Sequence, residues 1–433
     1  MSQIVLEGDA RKVLEGFPEG FFHCAVTSPP YYSPKKGLRN YGVRPLEWDD
    51  GWVGDLGKEP NPLMYADHLV ELYHPLKNAL RDDGTFWLNI GDSHAGSGCG
   101  PSGKTGCIQN QGERQGHTGE AVPIPQGYKR KEIFATPFLV GEALRRDGWY
   151  WRSIIPWLKH NGMPGSYKDR PVSTIEFILI LTKTPTNYYD YVAVMQKSSE
   201  SYQKDKRPAG VLRQRVNPNT KYDREENQFK KQDGTGNSTY TGFNQRWKEN
   251  GGGNGTRLLR ESDFFFQSFQ GLWLDEENEP LALVMNTKGY KEKHFAAFPV
   301  ALPEICILAS TSEKGVCPEC RAPWARDIKK TSTTDHTGKT ECAYEKGSTA
   351  NRLALLRQAA RANGEEYETM IETTGWHPTC SHNLDPVPAT VLDPFAGSCA
   401  TGVACEWHKR DFIGIELKHE YCELGRKRMK ENK

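Results

Sequence analysis

The stretch VLDPFAGSCATG, residues 391–402, constrains the fold of this chain more than any other. An apolar run delivers Asp393 into a turn of small residues, and the turn opens a helix around VACEW. About 20 residues further on, DFIGIEL supplies a second apolar run that ends in Glu416. Strand, glycine turn, helix, strand and acid in that order predict one nucleotide-binding unit of a doubly wound α/β sheet. In such a sheet ligands sit at the carboxyl ends of the strands, where a terminal carboxylate can accept both hydroxyls of a ribose.

The rest of the chain supplies further strands and helices. IVLEGDA (4–10), FFHCAVT (21–27), TFWLNIGDS (85–93), GWYWRSIIPWLK (148–159) and STIEFILILTK (173–183) read as strands. Between them, YADHLVELYHPLKNAL and IFATPFLVGEALRRDG carry apolar residues at helical spacing, as do FAAFPVALPEICILAS and a Lys/Arg-rich C-terminal segment. Residues 95–130 are rich in Gly, Gln, Ser and Lys and predict a long loop. From 197 to 260 basic residues outnumber acidic ones roughly two to one, with aromatics interspersed, which marks a different module. With 433 residues, 36% of them hydrophobic, the chain can bury a substantial core in two or three domains. No apolar run approaches the roughly 20 residues of a membrane span, and MSQIVLEGD lacks the features of a signal peptide. The expectation is therefore a cytoplasmic protein with no membrane partner, and the odd count of 11 cysteines argues for reduced thiols.

The Gly turn excludes one ligand class. A dinucleotide site needs G-x-G-x-x-G to admit a pyrophosphate, whereas Gly397 is followed here by Ser398, Cys399, Ala400 and Thr401. Asp393 would repel a phosphate but suits a cofactor bearing an amino or sulfonium charge. That points to S-adenosylmethionine rather than NAD.

A second turn, Thr27-Ser28-Pro29-Pro30-Tyr31-Tyr32, ends the strand FFHCAVT. TSPPYY, DPFAGS and GIE together make the chain resemble the amino-methyltransferases of DNA, specifically the β class, in which the catalytic motif precedes the cofactor motif. Glu7-Gly8-Asp9 is similar to that family's acidic motif toward the adenine amino group, and KHFAAFPVAL to the helix that closes over methionine. WLKHNGMPGSYKDRPVSTIEFILILTK resembles its W-x-K-x-N-x-M-P and D-R-P segment. Cys399 and Ala400 depart from the usual Gly and Thr of D-P-F-x-G-S-G-T-T. The resemblance implies a Rossmann-like methyltransferase sheet in circularly permuted order, with DFIGIEL and IVLEGD as neighbouring strands and the chain ends side by side. It implies Asp9, Thr27, Phe298, Asp393, Pro394, Phe395, Gly397, Ser398 and Glu416 as cofactor-binding residues, and a site-specific DNA methyltransferase acting on double-stranded DNA. A cognate restriction endonuclease, and monomer or homodimer, stay open.

Catalysis on an exocyclic amino nitrogen requires acceptors for its N–H groups, because its lone pair is delocalised into the ring. A proline-fixed turn presents a carbonyl rigidly, so the Pro29 carbonyl and Ser28 Oγ are the expected pair, with Pro30 fixing the turn and Tyr31 stacking on a flipped-out base. Serine at the first position favours cytosine N4. Adenine N6 is the alternative, and a non-catalytic nucleic-acid-binding protein with a degenerate fold is a second.

Two regions complete the reading. The basic module, 196–285, is the expected target-recognition region, with Arg207, Arg213 and Arg215, and with Lys159 and Arg170 outside it, as candidate DNA contacts. CPEC (317–320) and TCSH (379–382) offer Cys317, Cys320, Cys380 and His382 as ligands of a structural zinc, with His377 and Cys342 as substitutes. The domain plan is then a catalytic half over 1–195, a cofactor half from 286–312 and 383–433, and a zinc-binding insertion at 313–382.

Overall fold

The computed structural model describes residues 2–34, 45–96, 124–159, 169–194, 283–284, 299–332 and 369–431. Phe298, Arg207, Arg213, Arg215, Cys342 and nearly all of the expected target-recognition region lie outside the described residues.

Eight strands form one mixed sheet. In chain order they are β1 (Gln3–Glu7), β2 (Phe22–Thr27), β5 (Leu80–Ile90), β6 (Tyr150–Leu158), β7 (Ile175–Thr182), β8 (Leu283–Val284), β11 (Thr390–Asp393) and β12 (Asp411–Glu416). Two short strands, β3 (Leu46–Glu47) and β4 (Val53–Gly54), pair with each other, and so do β9 (Trp324–Ser332) and β10 (Thr369–Pro378). Across the main sheet the order is β1-β12-β11-β2-β5-β7-β6-β8. The pairs from β1 to β5 are parallel, and β7 runs antiparallel to both β5 and β6.

The two chain ends meet as expected. Every residue of β1 pairs with β12, from Gln3 opposite Phe412 to Glu7 opposite Glu416. The Phe412 amide donates to the Ser2 carbonyl at 2.9 Å, which extends that seam by one residue. Counted from β11, the strand order reads third, second, first, fourth, fifth, so the sequence direction reverses between β11 and β2. That is the switch point at which a doubly wound sheet opens a crevice.

Helices cover both faces. On one lie α1 (Ala10–Glu15), α2 (Pro62–Ala79) and α3 (Thr136–Arg146), which bury Leu14, Leu69, Leu72, Leu76 and Leu144 against Phe86, Leu88, Leu179 and Leu392. On the other lie α4 (Ala301–Ser310), α5 (Ala400–Trp407) and α6 (His419–Glu431), which bury Leu302, Ile307, Val403 and Met429 against Val5, Cys24, Val26 and Val391. Because β2 is covered on both sides, all six of its residues are buried, as a central parallel strand requires. α2 begins where its sequence tells it to: Asn61 Oδ1 accepts from the Met64 amide at 2.9 Å and Pro62 occupies the first turn.

The cysteine-bearing insertion contains a two-stranded ribbon, β9 against β10, that the sequence reading did not predict. Its strands mix Lys, Arg, Asp, Thr and Glu with scattered apolar residues, without the regular apolar alternation that announces a strand.

Candidate active site

Two turns meet at the switch point. β2 ends in Thr27 and β11 ends in Asp393, on adjacent parallel strands. Thr27 Oγ1 donates to Asp393 Oδ1 at 2.6 Å, Thr401 Oγ1 donates to Oδ2 at 2.7 Å, and the Phe395 amide donates to Oδ1 at 3.1 Å. Asp393 is 1% exposed, and burial pushes its carboxyl up to about 6, against the pull of the two hydroxyls and the amide. Thr27 and Asp393 thus join the two turns from inside, through hydrogen bonds within the chain.

Glu416, at the end of β12, is placed at the rim of the same crevice. Its Oε2 accepts from the Gly397 amide and its Oε1 from the Lys418 amide, each at 2.9 Å, while burial raises its carboxyl above the ordinary range. A carboxylate oxygen has two lone pairs, so each still has capacity for a hydroxyl. Gly397 needs its freedom, with φ at +48°, to turn its amide inward. Pro394 is buried, and Phe395 packs on the core beside it. Ser398 is 2% exposed and is held by Arg428, which donates to its Oγ at 2.7 Å and to its carbonyl at 3.1 Å. Cys399, where the family has glycine, adopts the left-handed conformation at φ +56°. Its Sγ packs against Gly425 of α6, where an added Cβ would lie 2.3 Å away. The cysteine therefore fills the helix interface behind the turn.

Asp9 caps α1, accepting from the Arg11 amide at 3.0 Å, and both of its oxygens also take the Arg11 guanidinium. Arg11 in turn pairs with Glu71 and lies over Trp48, 4.3 Å from the ring centroid. Asp9 still borders the cofactor crevice, since the neighbouring Gly8 amide donates to the Glu416 carbonyl at 3.0 Å.

The second turn is held from three sides. Tyr65 of α2 donates to the Pro30 carbonyl at 2.9 Å and pins the second proline. Behind it, Gly57 carries φ +87° and approaches so closely that a Cβ there would lie 2.7 Å from the Tyr31 carbonyl. Buried Glu59 fixes that loop by accepting from the Gly57 amide at 2.8 Å, and pairs with His68 at 3.1 Å. His68 stacks on Trp48, and hydrogen bonds to Glu59 and Asp50 raise its pKa against the opposing effect of burial. On the third side Tyr31 Oη donates to Glu176 Oε2 at 2.8 Å, and Asn89 Nδ2 donates to both, at 2.7 and 3.0 Å. Ser28 Oγ donates to Tyr31 Oη at 3.0 Å.

Lys159 is placed in this network and not on an open surface. It forms an ion pair with Glu176 and lies over the Trp157 ring, 4.2 Å from its centroid, with its side chain 16% exposed. Arg170 is half-buried and lies near His94. Asn89, Glu176, Tyr65, Glu59 and His68 escaped the sequence reading, although Glu176 sits in a segment singled out there. Their signal is only positional: Asn89 and Glu176 lie near the ends of β5 and β7, Tyr65 and His68 on α2, and Glu59 in the loop before it.

The four expected metal ligands come together. One ligand atom from each of Cys317, Cys320, Cys380 and His382 lies within 4.8 Å of the others, with Cys317 Sγ 3.7 Å from His382 Nδ1. Backbone N–H groups of Cys320 and Glu319 point at Cys317 and bring its thiol down to about 7. His377 is elsewhere, paired with Asp327 across the ribbon at 2.7 Å.

Fold and site together define a doubly wound α/β enzyme whose acidic cofactor turn and proline-fixed turn share one crevice. The chain belongs to the DNA methylase family of N6 and N4 methyltransferases, whose model matches residues 22–317 and 384–427. It is 25% identical over 425 residues to the type II methyltransferase M.SmaI of Serratia marcescens, covering 98% of this chain and 90% of that one. It is 27% identical over 426 residues to M.Cfr9I of Citrobacter freundii, covering 98% and 87%. Among solved structures, the cytosine-N4-specific PvuII DNA methyltransferase is similar with TM-score 0.46 and 13% identity, over 98% of this chain and 86% of that one. The protein is accordingly an S-adenosylmethionine-dependent DNA methyltransferase of the N4/N6 family.

The buried Asp393 sets a pH signature. Its folded pKa of about 6 lies above the ordinary 3.8, so above pH 6 the ionised carboxylate costs the fold up to about 3 kcal/mol. That cost is relieved as pH falls from 6 toward 3.8, where the folded state binds a proton that the unfolded state does not. Asp393→Asn carries no such charge. Its stability relative to the parent, followed by urea unfolding, should therefore decline by about 2–3 kcal/mol between pH 7.5 and 4.

Proposed function

We propose that this protein methylates the exocyclic N4 of a cytosine turned out of double-stranded DNA, at a short specific site. The observation that carries the reading is the serine at the head of the proline turn, whose Oγ gives its own proton to Tyr31 and therefore meets an amino group as an acceptor. With Pro30 held by Tyr65, the Pro29 carbonyl is the partner acceptor on the same rigid turn. Two acceptors aimed at one amino group draw its nitrogen toward tetrahedral geometry and restore its lone pair. The ring of Tyr31 lies over Gly91, where a Cβ would come within 2.7 Å of a ring carbon, so its position is fixed before any base arrives. A base stacked there offsets part of the cost of leaving the duplex.

The cofactor crevice fits S-adenosylmethionine by its donor set. Glu416 has acceptor capacity for two ribose hydroxyls, Asp9 borders the adenine end, and the acidic turn lacks the glycines that a pyrophosphate needs. When bound, S-adenosylmethionine supplies an activated methyl group. The task left to the chain is to hold the amino nitrogen in line with it and to exclude water.

The relatives named above are type II methyltransferases, which favours a cognate restriction endonuclease acting at the same site. Incubation with unmodified DNA and cofactor, digestion to nucleosides and mass spectrometry tests the base: N4-methylcytosine is expected. N6-methyladenine alone would move the assignment to the adenine branch, and no methylated base would favour the degenerate binding protein.

The Cys/His cluster fits a structural zinc. The edge of a zinc–sulfur tetrahedron is about 3.7 Å, close to the spacing of Cys317 and His382, and all four positions are filled by protein. His382 Nε2 faces Glu319 at 3.6 Å, an acid placed to orient the ring from behind. The cluster sits where β9 leaves and β10 returns, so an ion would clamp the base of the ribbon. It also lies at the amino ends of the strands. The Arg321 carbonyl accepts from His23 of β2 at 3.0 Å, and Arg321 donates to Thr390 at the start of β11 at 2.6 Å. Catalysis takes place at the opposite ends of those strands, roughly 15–20 Å away. Elemental analysis should find about one zinc per chain, and Cys320→Ser should lower the melting temperature while leaving turnover per folded molecule unchanged. A folded, metal-free protein would overturn the assignment.

A further inference from the structure

Among the described residues, the hydrogen bonds around Tyr31 have only one consistent direction. Glu176 Oε2 is a carboxylate oxygen and can only accept, so the contacts from Tyr31 at 2.8 Å and Asn89 at 3.0 Å both run toward it. Tyr31 has a single proton, and it is committed to Glu176. The proton between Ser28 Oγ and Tyr31 Oη at 3.0 Å must therefore be the serine's. Asn89 Nδ2, 2.7 Å from Tyr31 Oη, occupies the other lone pair and blocks reversal. The whole chain, Ser28 to Tyr31 to Glu176, points away from the position of the substrate amine.

We propose that Glu176 is the terminal proton acceptor of the methyl transfer and the residue that fixes Ser28 as an acceptor. This rests on the amino-methylation reading above. As the N–C bond forms and the S–C bond breaks, the positive charge of the sulfonium passes to the amino nitrogen, which must lose one proton. That proton goes to Ser28 Oγ as the serine proton moves to Tyr31 and the Tyr31 proton moves to Glu176. The carboxylate ends neutral, both hydroxyls end as they began, and no further reactant is needed. Release of the proton to solvent resets the site.

Three features are arranged for this. Lys159 pairs with the other carboxylate oxygen, Oε1, and leaves Oε2 to the relay. Both carboxylate and ammonium are 16% exposed, so the pair is shielded but connected to solvent. Gly91 provides the space in which tyrosine and glutamate meet: a Cβ there would lie 2.7 Å from Tyr31 Cε2 and 3.3 Å from Glu176 Cγ.

Glu176 touches Tyr31 and not the substrate, so it is a positioning residue with a proton to take. The test is single-turnover methyl transfer to duplex DNA, with cofactor affinity measured separately by calorimetry. Glu176→Gln should slow transfer by about 100-fold with cofactor affinity within twofold of the parent. Glu176→Asp, which restores the carboxylate, should recover part of the rate, and Glu176→Gln combined with Tyr31→Phe should be no slower than either change alone. If Glu176→Gln does not fold, Tyr31→Phe carries the test, since it cuts the relay but leaves the Glu176–Lys159 pair intact. A variant within threefold of the parent, or additive effects in the double variant, overturns the relay. A parent protein that methylates no base instead overturns the amino-methylation reading itself.

Discussion

A single buried hydrogen bond, from Thr27 Oγ1 to Asp393 Oδ1 at 2.6 Å, joins two halves of the site that are 366 residues apart in sequence. The proline-fixed turn springs from the end of β2 and the acidic turn from the end of β11. Their mutual position is set where those strands finish side by side. A carboxylate this deeply buried is costly, and two hydroxyls and an amide offset the cost by satisfying it from both sides. The same three donors dictate the shape of the cofactor turn. With β1 zipped along β12, the N-terminal strand completes a sheet begun by the C-terminal ones, and the permuted order of motifs becomes a continuous crevice.

Much of the framework was legible because it rests on local signals. Apolar runs bounded by turn residues marked β2, β11 and β12. The prolines and the glycine residue marked two turns that the fold brings together, and the CPEC and TCSH pairs marked a cluster that the fold assembles. What stayed hidden is long-range. Nothing in NIGDS or STIEF says that Asn89 and Glu176 converge on Tyr31; that follows from β5 and β7 pairing antiparallel, with Asn89 opposite Ile178. Likewise, nothing local says that Thr27 and Thr401 donate to Asp393; only the pairing of β2 with β11 brings them together. The ribbon of β9 and β10 was missed because its packed face includes Arg326, paired with buried Asp190, and so does not read as an apolar alternation.

The molecule separates stability from chemistry along the strand axis. At the amino ends, His23 accepts from the Thr390 amide at 3.0 Å through Nδ1, so its proton resides on Nε2 and is donated to Arg321. Burial, with Arg321 and Arg81 nearby, brings that imidazole down to about 3 and keeps it neutral. The cysteine cluster and the ribbon base are thereby fastened to β2 through a neutral imidazole, and to β11 through the Arg321 guanidinium. At the carboxyl ends β2 leads into the proline-fixed turn and β11 into the acidic turn, joined by the Thr27–Asp393 hydrogen bond. Reinforcing one end of a strand holds its other end in register.

The dependence of the site on the Thr27–Asp393 link is most directly tested by calorimetric titration of S-adenosylmethionine into Thr27→Val, which preserves shape and removes the hydroxyl. Leaving Asp393 short of one donor costs about 1–3 kcal/mol, and the distorted turn should weaken cofactor binding by about tenfold or more in a variant that still folds. Binding equal to that of the parent would show that the two turns hold their positions without this bond.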